Sequence, residues 1–328
     1  MTEEQSFYLP HEKQIFEYIK TIEHLKKQNQ ANPLFTNEIR QLELKLESVQ
    51  KEIYDGLTAW DRVLISRHPK RPHTIDYVKH IANDFVELFG DRLYGDDTSI
   101  IGGFATIDGV KCMLIGQEKG SDTESRVKRN FGMVNPEGFR KAIRLMKLAE
   151  RFQLPVVSLI DTPGAYPGLE AEQRGQGWAI AHNLREMAAL ATPIIALVIG
   201  EGCSGGALGI GVGDVVGILQ HSYYAVISPE GCASILWKDT SKKQEAATAL
   251  KLNAEQLLEL GIVDEVIPEP MGGAHHNPGV VFESVKTFIS TQYHILKRIP
   301  KELLLEQRYM KFRCMGEFVE ASAAGKVS

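Results

Sequence analysis

Apolar residues recur every three or four positions over residues 11–67, which is the spacing that gives a helix one apolar face. One run comprises Ile15, Ile19, Ile22 and Leu25, and a second comprises Ile39, Leu42, Leu46, Val49 and Ile53. Asn32-Pro33 interrupts the pattern between the two runs. The pattern therefore predicts a helical hairpin whose apolar stripes pack against the rest of the chain or against a partner subunit.

After a basic, proline-containing break at 67–72, short apolar runs alternate with amphipathic stretches. The runs 100–107 and 110–116 flank Asp108-Gly109, an arrangement that predicts a β-hairpin. Beyond a polar loop over 117–135, we predict a helix over 136–151, a strand over 156–160, a helix over 171–191, a strand over 194–199, a helix from 206, a strand over 223–228, a helix over 246–260 and a strand over 262–267. This alternation predicts parallel strand pairing in an α/β fold.

Two of the predicted strands run directly into glycine-rich segments. These segments are 161–168 (DTPGAYPG) and 200–207 (GEGCSGGA). Glycines let the backbone approach a ligand closely and point its N–H groups at a negative oxygen. A helix that begins in the second segment would add a favourable dipole. We therefore predict a site for an anion or an oxyanion, with tight turns that have no ligand as the alternative.

Other glycine and serine motifs match this region less well. The segment 200–205 fits G-x-G-x-x-G, but the acidic residue that a dinucleotide site places about 20 positions later is missing. Ser204 would need a histidine base to act as a nucleophile, and the spacing ties neither His182 nor His221 to it. Capping of a helix that starts at Gly205 is the simpler interpretation of this serine. The sequence has no P-loop motif.

The composition is that of a globular protein and narrows the range of partners. The 328 residues are 43% hydrophobic and 24% charged, with a formal net charge of −5, which argues against a general nucleic-acid binder. We expect neither a signal peptide nor a membrane span. The cysteines Cys112, Cys203, Cys232 and Cys314 form no C-x-x-C pair, so we expect no metal on this chain and a cytoplasmic location.

Several segments together resemble the α subunit family of acetyl-CoA carboxylase carboxyltransferase. The most specific are 161–168, 171–176 (AEQRGQ), 200–208, 228–237 (SPEGCASILW) and 269–275 (EPMGGAH), and shorter matches lie at 67–69, 88–92 and 130–133. The likeness runs from about residue 60 to 280. Cys203 stands where the loop of this family usually has glycine, and Gly177-Trp178 replaces a small polar pair.

The resemblance implies a crotonase-like ββα spiral, an α/β fold, that carries an N-terminal helical hairpin. We expect a helical extension over 1–66, a carboxyltransferase domain over 67–290 and a helical tail over 291–328. The family implies a zinc-ribbon β subunit in an α2β2 assembly, together with biotin carboxylase and the biotin carboxyl carrier protein. It implies carboxyl transfer from carboxybiotin, held on that separate carrier, to acetyl-CoA, which gives malonyl-CoA for fatty-acid synthesis. The expected location is the cytoplasm, or the plastid stroma in a plastid lineage.

The resemblance also assigns roles to particular residues. Negative charge develops on an oxygen of each substrate, and preorganised N–H donors stabilise such charge. The family implies that the backbone N–H groups of Gly205 and Gly206 form the oxyanion hole for biotin, while the β subunit holds the thioester oxygen. The residues expected to line the substrate site are Gly164, Ala165, Tyr166 and Arg174. For Arg174 a structural ion pair is the alternative to a substrate carboxylate. The biotin anion can take the methyl proton itself, so no side-chain base is required.

Some alternatives remain open from the sequence. A stand-alone crotonase-type acyl-CoA hydratase would need its own acyl-CoA site and a carboxylate acid or base, and a serine hydrolase would use Ser204. A non-catalytic scaffold would use the N-terminal helices to hold partners. The basic cluster is interpreted as a solvated or subunit-facing loop, with contact to CoA phosphates as the alternative. Its members are Lys119, Arg126, Lys128, Arg129, Arg140, Lys141 and Arg144.

Overall fold

The computed structural model describes residues 8–31 and 34–316. Within these ranges the strands are β1 (Ala82–Glu87), β2 (Ile100–Ile107), β3 (Val110–Gln117), β4 (Val156–Thr162), β5 (Ile194–Cys203), β6 (Val215–Leu219), β7 (Tyr223–Ala225) and β8 (Glu265–Ile267). The helices are α1 (Lys13–Ala31), α2 (Thr36–Asp55), α3 (Ala59–Ser66), α4 (Thr74–Ile81), α5 (Thr123–Lys128), α6 (Pro136–Phe152), α7 (Leu169–Gln173), α8 (Gln176–Ala188), α9 (Ser204–Leu208), α10 (Pro229–Trp237), α11 (Lys243–Ala249), α12 (Ala254–Glu259), α13 (Pro278–Leu296) and α14 (Lys301–Arg313). Short 3₁₀ turns lie at Pro10–Glu12, Asn130–Gly132 and Thr240–Lys242.

The strands of the described chain form one mixed sheet in the order β1-β2-β3-β4-β5-β6-β8, with β7 paired to the end of β5. The first three strands are antiparallel neighbours, and the strands from β3 to β8 pair in parallel. The hairpin between β2 and β3 turns at Asp108 and Gly109, whose φ angles are 48° and 76°. Two positive φ angles are what a type I′ turn requires. The predicted hairpin and the predicted α/β fold are confirmed.

The central strand β5 is buried along its whole length. Its even positions, Ile194, Ala196 and Val198, pack in the cluster that contains residues of α6 and α8. Its odd positions, Ile195, Leu197 and Ile199, pack in the cluster that contains residues of α4 and α13. Successive side chains of a strand point to opposite faces, so helices on both faces give a strand that is apolar throughout.

The N-terminal helices form the expected pair. Lys26 of α1 forms an ion pair with Glu43 of α2 at 2.6 Å, and apolar residues of both helices are buried. The predicted break at Asn32-Pro33 lies outside the described residues. Helix α3 packs on the body of the protein, because Trp60 and Val63 share a cluster with Tyr223.

Several predicted boundaries are wrong. The helix over 171–191 is two helices, α7 and α8, because Gly175 adopts φ 83° between them. The helix over 246–260 is likewise divided into α11 and α12, with Lys251 at φ 49°. The strand over 223–228 ends at Ala225, because the Ser228 side chain caps α10 by accepting a hydrogen bond from Gly231 N–H. Strand β8 covers only 265–267, and β5 continues to Cys203.

The C-terminal helices are joined to the body by a buried arginine. Arg308 of α14 forms an ion pair with Asp214 at 2.7 Å and donates to the carbonyls of Met187, Leu190 and Thr192. Helix α13 runs across position 290, and the division into 1–66, 67–290 and 291–328 stays a prediction. In the part of the chain that the structure describes, no helix is both long and apolar enough to cross a membrane.

Candidate active site

The two glycine-rich segments touch each other at the carboxyl ends of β4 and β5. These strands are parallel neighbours, and the carboxyl ends of such strands meet at one edge of a sheet, where ligands commonly bind. A Cβ atom on Gly206 would lie 2.5 Å from the carbonyl carbon of Gly164 and 2.6 Å from the nitrogen of Ala165. Only glycine allows backbones to approach this closely. The structure thus brings Gly164, Ala165 and Gly206 together, as the sequence predicts for one site.

The second segment begins a short helix at Ser204. Ser204 has a φ of 57°, and the residue at the N-cap position is Cys203, whose side chain makes no capping hydrogen bond. The predicted capping role of Ser204 is therefore wrong. The first N–H groups of a helix have no intrahelical acceptor, and those of Gly205 and Gly206 belong to this first turn. They are available donors at the point where the two segments meet.

Hydrogen bonds fix the orientation of these peptide groups. The Gly205 carbonyl, which shares a peptide plane with the Gly206 N–H, accepts from Gly209 N at 2.9 Å. The Gly206 carbonyl accepts from Gln117 Nε2 at 2.7 Å, and Gln117 Oε1 accepts from Asp161 N at 3.1 Å. One buried amide therefore connects the end of β4 with the start of α9. The sequence prediction placed Gln117 in a polar loop, whereas it is the last residue of β3.

The first segment has its own local bonds. Thr162 Oγ1 donates to the Gly132 carbonyl at 2.6 Å and accepts from Gly164 N at 3.1 Å. Gly164 has a φ of 143°, and a Cβ added to it would meet nothing within 4 Å. The Tyr166 ring covers Gly168, where a Cβ would lie 2.5 Å from Tyr166 Cε1. Tyr166 therefore lies in the same turn as Gly164 but packs within that turn.

Arg174 is already engaged by a protein carboxylate. Its guanidinium forms two hydrogen bonds with Glu137, both at 3.1 Å, and lies 4.8 Å from the centre of the Tyr94 ring. The hydrogen bonds to Glu137 raise the pKa of Arg174. The structure thus describes the ion pair, which was the alternative for this residue, and contact with a substrate carboxylate stays a prediction.

A buried network of charges lies beneath the two segments. Lys119 Nζ donates to Asp161 Oδ1 at 2.6 Å and to Glu201 Oε2 at 2.5 Å. Asp161 also contacts His73 Nδ1 at 3.0 Å and accepts from Glu201 N at 2.9 Å. Glu201 Oε1 in turn accepts from Arg67 Nε at 2.6 Å. Lys119 was predicted to be part of a solvated basic loop, and this prediction is wrong.

The network keeps its carboxylates ionised. Burial acts to raise the pKa of Asp161, but the Lys119 ammonium and the contact with His73 outweigh burial and lower that pKa. Burial also acts to raise the pKa of Glu201, and the charges of Lys119 and Arg67 again lower it. The sequence could not reveal this network, because its members come from distant parts of the chain and no local pattern shows that they pair with one another.

An apolar cavity of about 390 Å³ opens beside the second segment. Its wall includes Ser204 and Gly205, and the rest of the lining is mainly apolar: Leu208, Gly211, Val216, Tyr224, Ala225, Val226, Leu250, Lys251, Leu257, Leu260, Ile262, Phe312 and Met315. Small-molecule sites in proteins are commonly apolar clefts with a few placed polar groups. This cavity is such an apolar cleft, and it lies at the start of α9, where Ser204 and Gly205 form part of its wall.

The geometry gives no support to a serine nucleophile. The His182 ring stacks on Trp178 with centroids 4.8 Å apart. His221 is buried, and its backbone N–H donates to Glu269 Oε1 at 2.9 Å. Burial lowers the pKa of His221 to about 4. Among the described residues, neither histidine forms a hydrogen bond with Ser204.

Comparison with known proteins identifies similar sequences over nearly the whole chain. A family model described as acetyl co-enzyme A carboxylase carboxyltransferase-like matches residues 8–316. A Protochlamydia amoebophila protein named acetyl-coenzyme A carboxylase carboxyl transferase subunit alpha is 67% identical over 312 residues, which cover 95% of this chain and 99% of that protein. A protein of the same name from Chlamydia trachomatis serovar D is 58% identical and matches 96% of this chain and 97% of its own length.

Solved structures with much lower sequence identity share the fold. Transcarboxylase 12S, described with hydrolysed methylmalonyl-coenzyme A bound, aligns with a TM-score of 0.55 and 18% identity, over 82% of this chain and 47% of that chain. A Pseudomonas malonate decarboxylase hetero-dimer aligns with a TM-score of 0.54 and 17% identity, over 67% of this chain and 89% of that chain. These neighbours confirm the predicted crotonase-like fold.

Proposed function

We propose that this chain, which belongs to the acetyl-coenzyme A carboxylase carboxyltransferase family, contributes to carboxyl transfer by stabilising an oxyanion. The donors are N–H groups at its two glycine-rich segments. The family makes the chain the α subunit of a carboxyltransferase of fatty-acid synthesis. The observation that carries the proposal is the contact of Gly206 with Gly164 and Ala165, which leaves the N–H groups of Gly205 and Gly206 at the junction of the two segments.

The residues at this junction fit a biotin ring. The ring system is uncharged and largely apolar, with one polar ureido edge, and the cavity is mainly apolar with Ser204 and Gly205 in its wall. The open space at Gly164 leaves room for a ring to approach the backbone. Biotin, presented by a separate carrier protein, would supply the carboxyl group that is transferred.

Within this proposal, each part of the chain has a defined task. The N–H groups of Gly205 and Gly206 would hold the ureido oxygen and stabilise negative charge there. Gly164 and Ala165 would form the facing wall, with Tyr166 supporting the turn. The bond from Gly209 N to the Gly205 carbonyl holds the peptide plane of the Gly206 N–H, and Gln117 holds the next plane, so the Gly206 donor need not reorient when charge develops.

The proposal assigns the other half of the chemistry to a partner. In the described residues, Ser204 forms no hydrogen bond with a histidine, and the carboxylates of Asp161 and Glu201 are already paired with Lys119. We propose that a zinc-ribbon β subunit supplies the acetyl-CoA site and the thioester oxyanion hole in an α2β2 complex. Biotin carboxylase and the carrier protein would act together with this complex. The cytoplasm remains the predicted location.

The substitution Gly205→Ala tests the oxyanion role. An added Cβ would meet only the Ile180 side chain, with Cδ1 at 3.3 Å and Cγ2 at 3.6 Å, so the fold should tolerate it. The methyl group would occupy space beside the N–H donors and hold an oxygen away from them. Loss of one such donor costs about 10²–10³ in rate, and we expect a fall of that size. The measurement is malonyl-CoA decarboxylation with free biotin by the complex with the β subunit.

Gly177→Ala is the matched control, because a Cβ at Gly177 would meet nothing within 4 Å. We expect it to retain full activity, and both variants to assemble with the β subunit on size exclusion. Near-normal activity of an assembled Gly205→Ala complex would refute the oxyanion role. Activity of the isolated chain as an acyl-CoA hydratase, or labelling of Ser204 by a fluorophosphonate, would instead support the two alternative enzymes.

A further inference from the structure

Two histidines and a buried glutamate converge on the side of the molecule where the N-terminal region meets the loop after β8. Glu12 lies in the first 3₁₀ turn, and His275 and His276 lie between β8 and α13. One potential ligand atom from each residue lies within 4.8 Å of the other two. No pattern in the sequence connects these stretches, and the sequence analysis expects no metal on this chain.

Glu12 is held in place by hydrogen bonds to both of its carboxylate oxygens. Its side chain accepts from Tyr54 OH at 2.6 Å through Oε1 and from Leu9 N at 2.9 Å through Oε2. The Glu12 side chain is also buried. A buried carboxylate whose position is fixed by other residues is well suited to bind a cation.

The two histidines offer lone pairs next to this carboxylate. His276 Nε2 lies 3.7 Å from Glu12 Oε1, and about half of the His276 side chain is exposed. His275 stacks on His68 with ring centroids 3.7 Å apart, and its Nδ1 is buried without a hydrogen-bond partner among the described residues. A buried imidazole nitrogen that no protein group occupies is available to a metal ion.

A path from solvent leads to the group. A cavity of about 500 Å³ is lined by Glu12, Tyr54, His68, His275 and His276, among others. The His276 ring lies over Gly272, where a Cβ would be 2.4 Å from His276 Cδ2 and where φ is 90°. The glycine thus leaves the space that the His276 ring occupies beside Glu12.

We propose that Glu12, His275 and His276 bind one divalent transition-metal ion of the Zn²⁺ or Co²⁺ type, with water in the open positions. Two imidazole nitrogens and one carboxylate oxygen form a donor set that suits zinc, cobalt, nickel and iron, whereas Mg²⁺ and Ca²⁺ prefer oxygen donors. The ion would tie the turn that precedes α1 to the loop that precedes α13. The site is separate from the glycine junction, and its test does not depend on carboxyl transfer.

The test uses the full chain after treatment with a chelator and dialysis. Titration with Co²⁺ should give visible d–d absorption that saturates at one ion per chain, and Zn²⁺ should displace the signal. Isothermal titration with Mg²⁺ should show no binding at the same concentrations. Zn²⁺ should also raise the thermal unfolding temperature of the wild-type chain, because the ion binds only the folded arrangement.

Glu12→Gln and His276→Asn should each weaken Zn²⁺ binding by at least about tenfold. Loss of a residue that only supports a metal ligand already costs about tenfold or more in affinity, and these two residues are proposed as ligands themselves. His294→Asn is the control, because His294 is exposed on α13, away from the group. Tyr54→Phe keeps all three ligands and should still bind, with reduced affinity. It supplies a folded variant if the other two unfold.

Three results would overturn the proposal: no saturable Co²⁺ signal, equal affinity in wild type and a folded Glu12→Gln variant, or equal loss of binding in His294→Asn. If Glu12 and His276 form only an ion pair, the variants should change the unfolding temperature, and Zn²⁺ should leave the unfolding temperature of the wild type unchanged. That outcome would likewise reject the site.

Discussion

The side chain of Gln117 links the two glycine segments through opposite hydrogen-bonding functions. Its Nε2 donates to the Gly206 carbonyl, and its Oε1 accepts from the Asp161 N–H. The side chain is fully buried, so both backbone groups depend on it in place of water. Only a group that donates and accepts at once can replace it, and a protonated carboxyl is such a group.

We predict that Gln117→Glu makes activity depend on pH in a defined direction. Burial raises the pKa of an introduced carboxyl, and only its protonated form can donate to Gly206. Activity relative to wild type should therefore be highest at acidic pH and fall by about tenfold for each pH unit above the raised pKa. The pH profile of biotin-dependent malonyl-CoA decarboxylation measures this effect, with the wild-type complex as reference.

Gln117→Met provides the comparison, because methionine can replace neither function. It should reduce activity at every pH by roughly 10²-fold, which is the scale for misplaced catalytic groups. It should also lower the free energy of unfolding by about 1–3 kcal/mol for each backbone group left unsatisfied. If the Glu variant follows the same pH profile as the Met variant, the positioning role of Gln117 is wrong.

Gly206→Ala should destabilise the fold, in contrast to Gly205→Ala. Its Cβ would lie within 2.5 Å of backbone atoms of Gly164, and neither segment has a flexible side chain there that could yield. Overpacking of this kind costs about 1–3 kcal/mol. Urea unfolding of the two variants measures the difference, and equal stability of both would contradict the described contact.

At the scale of secondary-structure elements, Lys119 holds together the ends of β4 and β5. Its ammonium lies between the carboxylates of Asp161 and Glu201, and Asp161 also accepts from the N–H of Glu201, the second residue of the second glycine segment. The charge network thus sets the spacing of the strands from which both segments begin. Removal of one partner from a buried ion pair costs about 3–5 kcal/mol.

Lys119→Met should therefore lower the free energy of unfolding by about 3–5 kcal/mol at neutral pH. It should also reverse the direction in which this free energy changes with pH. In the wild type, the pKa of Asp161 is lowered, so its contribution is present above the pKa of the unfolded chain and is lost in acid. Without Lys119, two buried carboxylates share one site, and the pKa of one of them rises. The folded variant then retains a proton, and its stability should fall as pH rises.

Thermal or urea unfolding across a pH series measures both slopes. Lys128→Met is the control. Lys128 lies on α5, outside the network, so this substitution leaves Lys119 in place between Asp161 and Glu201. Parallel pH profiles for wild type and Lys119→Met would show that Lys119 does not control the ionisation of these carboxylates.

The sequence predicted those elements that local patterns determine. The hairpin at Asp108-Gly109, helix α6 and the apolar strand β5 follow from turn chemistry, a proline in the first helical turn and an apolar run, which are all local signals. The breaks at Gly175 and Lys251 were missed, because the helical pattern continues across each break and only packing interrupts it. The partners of Lys119 and Gln117 were missed for a similar reason, since β4 and β5 bring them together only in the folded sheet.

At the scale of the whole molecule, the C-terminal helix contributes to the cavity beside Gly205. Phe312 and Met315 form part of its lining, and they follow the buried Arg308. The carbonyls that Arg308 contacts come from the end of α8 and the loop after it. Because α8 also carries Ile180, the neighbour of Gly205, Arg308 connects the end of the described chain with the glycine junction.

Arg308→Ala should therefore loosen α14 and open the cavity. The substitution leaves Asp214 buried without its partner, which costs about 3–5 kcal/mol of stability. Hydrogen–deuterium exchange should show faster exchange of the amides of α14, and decarboxylation should lose activity as the cavity wall moves. Glu306→Ala is the control, because Glu306 is exposed on the same helix, and it should leave exchange and activity unchanged.

Phe312→Ala separates the two effects: with Arg308 still anchoring the helix, it should keep slow exchange but reduce activity by removing part of the wall. If Arg308→Ala accelerates exchange in α14 without any loss of activity, the C-terminal helix stabilises the fold but does not shape the site.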